Sequence, residues 1–538
     1  MKIAGVWSGH DCSFYICEDG KPIVHAEYER YTREKEPPGD SLGFLFDEYK
    51  NYSDIKHVAS CFPINKLTNY QQSYAKMNDI VKSNGGKIHY FGHHKSHAAN
   101  AFFSSNFDES LIVTLDGGGV EEENFVTACT VWHGNKNKIK HLRSIPIHKF
   151  NIGGVWTRST RYIFNLQSGW PRGHQAGSVM AMAALGDPKR FEDDFYRMLT
   201  KDLNMASRKP SDQPKGANVG TDPKHPYLHK WRLLADIVEG NRYDLAAGLQ
   251  SATERLLREM LTSIFAQVKT KYLCLSGGVV LNSVAIGKIR HWFPHIEEIY
   301  VTPTPHDGGL TIGAAQYLWH NVLDNPRITW EDNFTPYLGF THDNIESTIE
   351  SYGDKITSKK CDDLDIVNYL YDDKIVAVFG GGSESGRRAL GNRSILANPT
   401  SPEMKAMIND KVKHRQWYRP FAPSILREEV KNWFVEDKNS PYMSFVVKFK
   451  EEVKDKVPAV LHFDNTGRLQ TVTENDNPWY YNLIKQWHNK SGVPILLNTS
   501  FNDREPICET AEHAINCFLR TNIDYLYFYE QNILVEKK

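Results

Sequence analysis

Several things are scarce in this sequence. Its 538 residues include only eight cysteines (Cys12, Cys17, Cys61, Cys129, Cys274, Cys361, Cys508 and Cys517), and no two form a CxxC pair. That argues against a zinc ribbon and a disulfide framework and predicts a reducing, cytoplasmic location. No apolar run approaches the roughly 20 residues needed to cross a bilayer. The nearest, "IVAVF" from Ile375 and "SVMAMAAL" from Ser178, are of core length, so no membrane helix is expected. The N-terminal "MKIAGVWSGHDCSFYI" carries His10 and Asp11 where a signal peptide needs uninterrupted apolar residues, and reads as a first strand. An excess of one charge is also missing: 64 Lys plus Arg face 65 Asp plus Glu, a formal charge of −1. This speaks against a global polycation that coats nucleic acid or anionic lipid and leaves room for a local basic cleft. Low-complexity tracts are absent, and the length predicts more than one core.

What is present begins with a repeat. "KIAGVW", a break at "SGHD", "CSFYIC", a turn "EDGK" and "PIVHAEYER" form one hairpin pattern; "LIVTLD" from Leu111, a break at "GGGV", "VTACTVW", a turn "HGNKNK" and "IKHLRSIPI" form another. A repeated hairpin broken at an Asp beside glycines predicts a duplicated nucleotide-binding fold, with Gly117 and Gly118 offering backbone N–H groups to phosphate. Leu245, Leu249, Ala252, Leu256, Met260 and Ile264 recur at helical spacing. A strand "YLCL" follows, then "SGGVVLNS", where Gly277 and Gly278 permit close backbone approach at a helix start. "PTPHDGGLTIGAA" is another loop-to-helix junction, with Asp307 near the N-cap.

Three groups of residues carry chemistry. In "GHHKSHAANAFFSS", His93 and His97 are four apart and would share one helix face, with His94 offering a rival three-residue spacing. With Asp116 and Asp307, two His and two carboxylates suit Fe(II), Mn(II) or Zn(II), and the lack of a Glu between the histidines removes the HExxH metalloprotease reading. His10, at a strand end, is placed to exchange a proton. From Glu384 to Arg419, eight basic residues (Arg387, Arg388, Arg393, Lys405, Lys411, Lys413, Arg415, Arg419) oppose three acids, a local charge of +5. Interleaved with Gly, Pro and apolar residues, these predict a phosphate-binding cleft rather than a solvated stripe. Asn498, Ser500 and Asn502 in "LLNTSFND" and Arg468 add short donors and a further fork.

"GHD", "HHKSHAANAF", "LDGGG", "LSGGVVLN", "PHDGGLTIGAA", "GRRALGNRSILANP", "YRPFAPSIL" and "LLNTSFN", in this order, resemble the O-carbamoyltransferases of the nodulation-protein U and cephalosporin/tobramycin carbamoyltransferase family over nearly the whole chain. The resemblance implies an α/β protein: a Kae-like domain (residues 1–340), of the duplicated actin and heat-shock-chaperone ATPase type, followed by a YrdC-like twisted-sheet domain (341–538). It implies that carbamoyl phosphate and ATP, with Mg(II), give carbamoyladenylate and pyrophosphate in the second domain, and that the first passes the carbamoyl group to a hydroxyl with release of AMP. The intermediate would travel inside the protein, away from water. Arg388, Lys413, Arg419, Arg468 and Ser500 fall on positions that bind carbamoyl phosphate and ATP, with Asn502 beside them. His93, His97, Asp116 and Asp307 match metal ligands, His10 matches the base, and Gly277, Gly278 and Asn282 would line the adenylate pocket.

Two departures stand out: Arg387 occupies a usual Pro position, and a Gly between Arg504 and Glu505 is missing. Two related readings compete. Threonylcarbamoyl transfer to tRNA needs an RNA-binding surface, which the neutral charge does not favour, and hydrogenase-maturation carbamoyl transfer carries CxxC zinc fingers that this chain lacks. A non-catalytic actin-like ATP-binding module is the third alternative. The acceptor, a sugar, antibiotic-like or nucleoside hydroxyl, is expected at Trp156–Gly186, with Arg158, Arg161, Trp170, Arg172 and His174. A homodimer is compatible with the sequence.

Overall fold

Both expected hairpins form, and each seeds a sheet of the same design. The computed structural model describes residues 1–61, 70–121, 126–166, 175–200, 239–330 and 334–538. Strands β1 (Lys2–Trp7), β2 (Ser13–Glu18), β3 (Lys21–Glu27), β4 (Ile55–Ser60) and β5 (Lys87–Tyr90) run in the order β3-β2-β1-β4-β5. Strands β6 (Glu109–Val120), β7 (Val126–Asn135), β8 (Lys138–Pro146), β9 (Tyr272–Ser276) and β10 (Glu298–Val301) run β10-β9-β6-β7-β8. In both, the first strand pairs antiparallel with the next in the chain and parallel with a later one: β1 with β2 and β4, β6 with β7 and β9. That shared pattern is the structural form of the sequence repeat.

The break expected at Asp116 is smaller than its glycines suggested. β6 continues through Gly117–Gly119 to Val120, with a register irregularity between Leu115 and Gly119. The glycines absorb a bulge inside a strand instead of opening a loop.

The third sheet has nine strands: β11 (Ile356–Lys360), β12 (Val376–Phe379), β13 (Arg393–Ala397), β14 (Ala422–Leu426), β15 (Phe445–Lys448), β16 (Thr466–Val472), β17 (Ile495–Ser500), β18 (Tyr525–Phe528) and β19 (Ile533–Lys537), in the order β11-β19-β18-β12-β13-β17-β14-β16-β15. It is mixed, with β12 parallel to β18 and antiparallel to β13. Val376, Val378, Leu396, Leu483, Ile484, Trp487 and Leu496 are among the buried side chains of its core.

The chain divides into two compact units, Met1–Pro22 with Lys35–Trp330 and Ile23–Glu34 with Glu331–Lys538. The first unit thus ends at Trp330, and a short N-terminal segment counts with the second. That segment is held by charge: Arg30 pairs with Glu27 at 3.1 Å and donates to the Gly386 carbonyl at 2.6 Å, all buried. No described helix is long and apolar enough to cross a membrane.

Candidate functional site

Small residues bring the first cluster together. Helix α1 (His93–Phe103) carries both histidines, α2 is Glu239–Phe265, α3 is Ser283–Gly287, and α4 (Leu310–Gln316) follows Asp307. At Gly313 an added Cβ would lie 1.8 Å from the Ser96 carbonyl oxygen, so only glycine lets α4 approach α1 this closely. Asn100 fixes the loop before α4, donating to the Thr304 carbonyl at 2.9 Å and accepting from the Thr302 hydroxyl at 3.0 Å. Asp307 is thereby delivered to the histidine face of α1.

There, Nε2 of His93 lies 3.1 Å from Oδ2 of Asp116, 3.2 Å from Nε2 of His97 and 3.4 Å from Oδ1 of Asp307; Nε2 of His97 is 3.4 Å from that same oxygen. Ligand atoms at roughly 2.0–2.2 Å from one ion, at tetrahedral or octahedral angles, stand about 2.8–3.6 Å apart. The four residues therefore fit a divalent transition metal. His94 is excluded from the group: its nitrogens bond to Thr114 Oγ1 (2.7 Å) and the Thr127 carbonyl (2.8 Å). Burial and then the charge of His93 drive its pKa down to about 3.

The remaining atoms of the ligands are also held. Gly278 donates its N–H to Oδ1 of Asp116 at 3.0 Å, leaving Oδ2 toward the cluster. Gly277 supports this turn at φ +102°, where a Cβ would meet the Leu115 carbonyl oxygen at 2.1 Å. Nδ1 of His97 is 3.2 Å from the Ser276 hydroxyl, which leaves Nε2 to face the cluster. In the sequence Ser276 carries no signal of its own, since the glycines are what mark its turn.

His10, with half of its side chain exposed, lies 2.9 Å from Oδ2 of Asp11 and 3.3 Å from Oδ2 of Asp307. Asp307 first, and Asp11 with it, offset the burial penalty and raise its pKa to about 10. Burial opposes a proton on His93, but Asp307 and Asp116 outweigh it and also bring that group to about 10. Asp116 is held down at about 2: burial and Asp307 push it up, and His93 and His97 more than offset them.

The second cluster is built from like charges. The pKa of Arg388 is lowered by burial and then by Arg468, Arg387 and Arg419; that of Arg415 by burial, Arg419 and Arg468; that of Arg468 by burial and Arg419, to about 10. Among the described residues no carboxylate forms an ion pair with Arg388, Arg415, Arg419 or Arg468; Arg388 lies in the field of Arg468, Arg387 and Arg419, and Arg468 in that of Arg419. Four guanidinium groups held together without acid have the charge and the donor geometry to bind a polyvalent anion.

Residues 64–316 match the family described as carbamoyltransferase N-terminus, and 367–537 match carbamoyltransferase C-terminus. The chain belongs to the carbamoyltransferase family. It is 33% identical over 556 residues to nodulation protein NolNO of Sinorhizobium fredii, covering 96% of this chain and 78% of that protein. It is 27% identical over 526 residues to the 3'-hydroxymethylcephem-O-carbamoyltransferase of Amycolatopsis lactamdurans, covering 93% of each. Among solved structures, T. kodakarensis HypF is similar at 14% identity and a TM-score of 0.36, covering 60% of this chain and 48% of that one.

Within this carbamoyltransferase, the expected phosphate-site residues divide into two kinds. Arg388, Arg419 and Arg468 join the acid-free group. Lys413, by contrast, is buried and donates to the Ser500 carbonyl and to the Asn502 carbonyl (2.8 Å) and Oδ1 (2.7 Å). A buried ammonium needs acceptors, and these backbone and amide oxygens make Lys413 a strut for the loop that carries Ser500 and Asn502. Ser500 donates to Oδ1 of Asn502 at 2.8 Å, and Nδ2 of Asn502 donates to the Glu505 carbonyl at 2.7 Å.

Other basic residues of the belt are structural. Arg393 is fully buried, stacks on Phe379 and donates to the Gly380, Gly381 and Asn392 carbonyls. Glu384, one of the belt's three acids, accepts the backbone N–H groups of Leu390 (2.7 Å), Asn392 (2.9 Å) and Arg393 (3.2 Å), shaping the loop that presents Arg388.

In the transferase's first unit, the Asn282 amide caps α3 through Ala285 N–H at 3.1 Å and exchanges hydrogen bonds with Gln250 of α2. The Asn151 amide donates to the Gly117 carbonyl at 3.2 Å, and Gly118 lies at φ +146° in the same bulge. Of the expected acceptor stretch, Trp170, Arg172 and His174 lie outside the described residues; Trp156 is buried and donates to Thr253 at 2.8 Å.

Proposed function

We propose that this enzyme is an ATP-dependent O-carbamoyltransferase that uses carbamoyl phosphate. The observation that carries the reading is the acid-free group of Arg388, Arg415, Arg419 and Arg468. Carbamate is a poor electrophile, and its activation needs several phosphate groups held side by side, which is where such a charge excess is useful. In the second unit, carbamoyl phosphate is hydrolysed to carbamate and phosphate. A carbamate oxygen then attacks the α-phosphorus of ATP, the α–β phosphoanhydride bond breaks, and pyrophosphate leaves from carbamoyladenylate. Ser500 and Asn502, braced by Lys413, lie beside these anions, and the Ser500 hydroxyl turns from Asn502 to donate to them.

In the first unit, the acceptor oxygen attacks the carbamoyl carbon, the bond to the AMP oxygen breaks, and AMP leaves. His10 takes the hydroxyl proton. His93, His97, Asp116 and Asp307 would hold a divalent metal, Fe(II), Mn(II) or Zn(II), which supplies Lewis acidity toward the carbamoyl oxygen and neutralises the carboxylates that favour the His10 imidazolium. Gly277, Gly278 and Asn282 would line the adenylate pocket. The name of the cephem relative points to a hydroxyl acceptor, so a small-molecule, sugar or nucleoside hydroxyl is the class assigned here, with cytoplasmic action.

The test is incubation with ATP, carbamoyl phosphate, Mg(II) and divalent iron without acceptor. Pyrophosphate release that depends on carbamoyl phosphate supports the reading. Its absence under all divalent metals sinks it.

A further inference from the structure

We propose that Trp417, braced by Phe463, is the platform on which the adenine base of ATP stacks at the arginine cluster, an assignment that rests on the function proposed above. Trp417 is 56% exposed and Phe463 45% exposed, and their rings meet edge to face at 5.4 Å and 80°. Single exposed apolar side chains are ordinary on a protein surface. Among the described residues, however, these are the exposed aromatic rings that touch each other.

Their position says what they are for. Trp417 lies between Arg415 and Arg419 in the chain, and Phe463 is on the turn that leads into β16, five residues before Arg468. Three of the four guanidinium groups are thus carried by the two segments that carry the rings. A nucleoside triphosphate has this same arrangement, a polyanion joined to a flat π-system, and base stacking on an aromatic face accepts it without hydrogen-bond readout.

Both segments are fixed in advance. Asn409 donates to the Trp417 carbonyl at 3.3 Å and the Arg419 carbonyl at 3.0 Å, and accepts from Nε of Arg415 at 2.8 Å. The Phe463 turn is held by Asp464, which accepts from the Thr466 hydroxyl at 2.6 Å, while Nζ of Lys405 sits 4.5 Å from the Phe463 ring centroid. Lys405 and Trp417 both occupy Phe463, which makes that ring the support and Trp417 the side chain with surface to spare. A platform ordered before binding loses little entropy when the base arrives.

The experiment is calorimetric titration of the full-length protein with a non-hydrolysable ATP analogue and, separately, with inorganic tripolyphosphate, which has the charge without the base. Trp417→Ala is expected to weaken nucleotide binding by about 10-fold and to leave tripolyphosphate binding unchanged. Trp417→Phe should retain most of the nucleotide affinity, and Phe463→Ala should give a smaller loss in the same direction. Unchanged nucleotide affinity in Trp417→Ala overturns the platform. So does an equal loss for both probes, which would make Trp417 a shaper of the arginine loop. If the wild type releases pyrophosphate from ATP and carbamoyl phosphate, either result leaves the proposed function standing; a wild type that neither binds nucleotide nor performs that reaction overturns both.

Discussion

The two candidate sites solve opposite electrostatic problems. In the first unit, His10 and His93 face Asp116 and Asp307, so the protonated histidines and the carboxylates balance one another within the protein. In the second, burial and neighbouring arginines, with Arg419 common to all three, disfavour the charge on Arg388, Arg415 and Arg468, and among the described residues no acid is ion-paired to them. The first site must lose protons to take a cation; the second becomes balanced only when an anion arrives. A site that is self-neutralised and a site that is not should therefore respond differently to the same kinds of perturbation.

The largest effect expected is a split between half-reactions. Asp307→Asn removes the carboxylate whose Oδ1 stands 3.4 Å from both His93 and His97 and whose Oδ2 faces His10. It should abolish carbamoyl transfer by a factor of at least about 1000 while carbamoyl-phosphate-dependent pyrophosphate release continues, since loss of a catalytic electrostatic partner costs roughly 100- to 1000-fold by itself. Arg419→Ala should do the reverse, stopping adenylate formation while carbamoyladenylate added from outside is still consumed. His10→Asn should resemble Asp307→Asn in activity yet keep its metal, measured as ions per chain. If either variant damages both half-reactions equally, the two clusters are not two sites.

A second contrast is in pH. With His10 and His93 raised to about 10, both imidazoles carry protons at neutral pH in the metal-free protein. A cation must displace the His93 proton, because a metal ligand has to be deprotonated, and by neutralising Asp307 and Asp116 it also weakens the hold of His10 on its proton. Metal affinity should rise with pH by about tenfold per unit for each proton displaced, between neutrality and about pH 10. Titration in two buffers of different ionisation enthalpy measures that number directly, and one to two protons are expected. Zero would mean that the histidines are already neutral and the balance described above is absent. Affinity of the arginine cluster for an anion that does not titrate near neutrality, such as sulfate, should be flat from neutrality to about one unit below pH 10, since Arg468 keeps its proton there.

The sites were not equally legible in the sequence. The His93/His97 spacing, Asp116 and Asp307 could be read as one group because helical periodicity and strand ends state direction, and the close approach that unites them is visible as the small residues around Gly313. The hairpin repeat likewise became two sheets of one pairing pattern. A count of positive charge could locate the belt but not sort it. Whether a basic side chain faces ligand or protein depends on acceptors distant in the chain: Ser500 and Asn502 take Lys413, and the Gly380 and Gly381 carbonyls take Arg393. Nor could it show that Ile23–Glu34 counts with the second unit, because Arg30 and Glu27 find each other beside Gly386, more than 350 residues away.

The smallest effect tests the unbalanced site on its own. Arg468 is depressed to about 10 by burial and Arg419, so it is harder to keep charged in the folded than in the unfolded protein. The sign follows: below about pH 10 both states bind the proton, the cost is complete and constant, and it shrinks only as pH climbs from about 10 toward the ordinary arginine value. Arg468→Met keeps most of the apolar stem and removes the charge, so in phosphate-free buffer at neutral pH the midpoint of thermal unfolding should rise by a few degrees, about 2–4 °C for each kcal/mol in a unit of this size. Added phosphate or pyrophosphate stabilises whichever form binds it, by mass action. It should raise the wild type more than the variant and close or reverse the gap. Asp307→Asn in the metal-free protein should shift the midpoint the other way, because it strands the protonated His10 and His93. A lower midpoint for Arg468→Met without phosphate would show that this arginine is paid for by contacts inside the fold, and the contrast between the two sites would then reduce to one of shape.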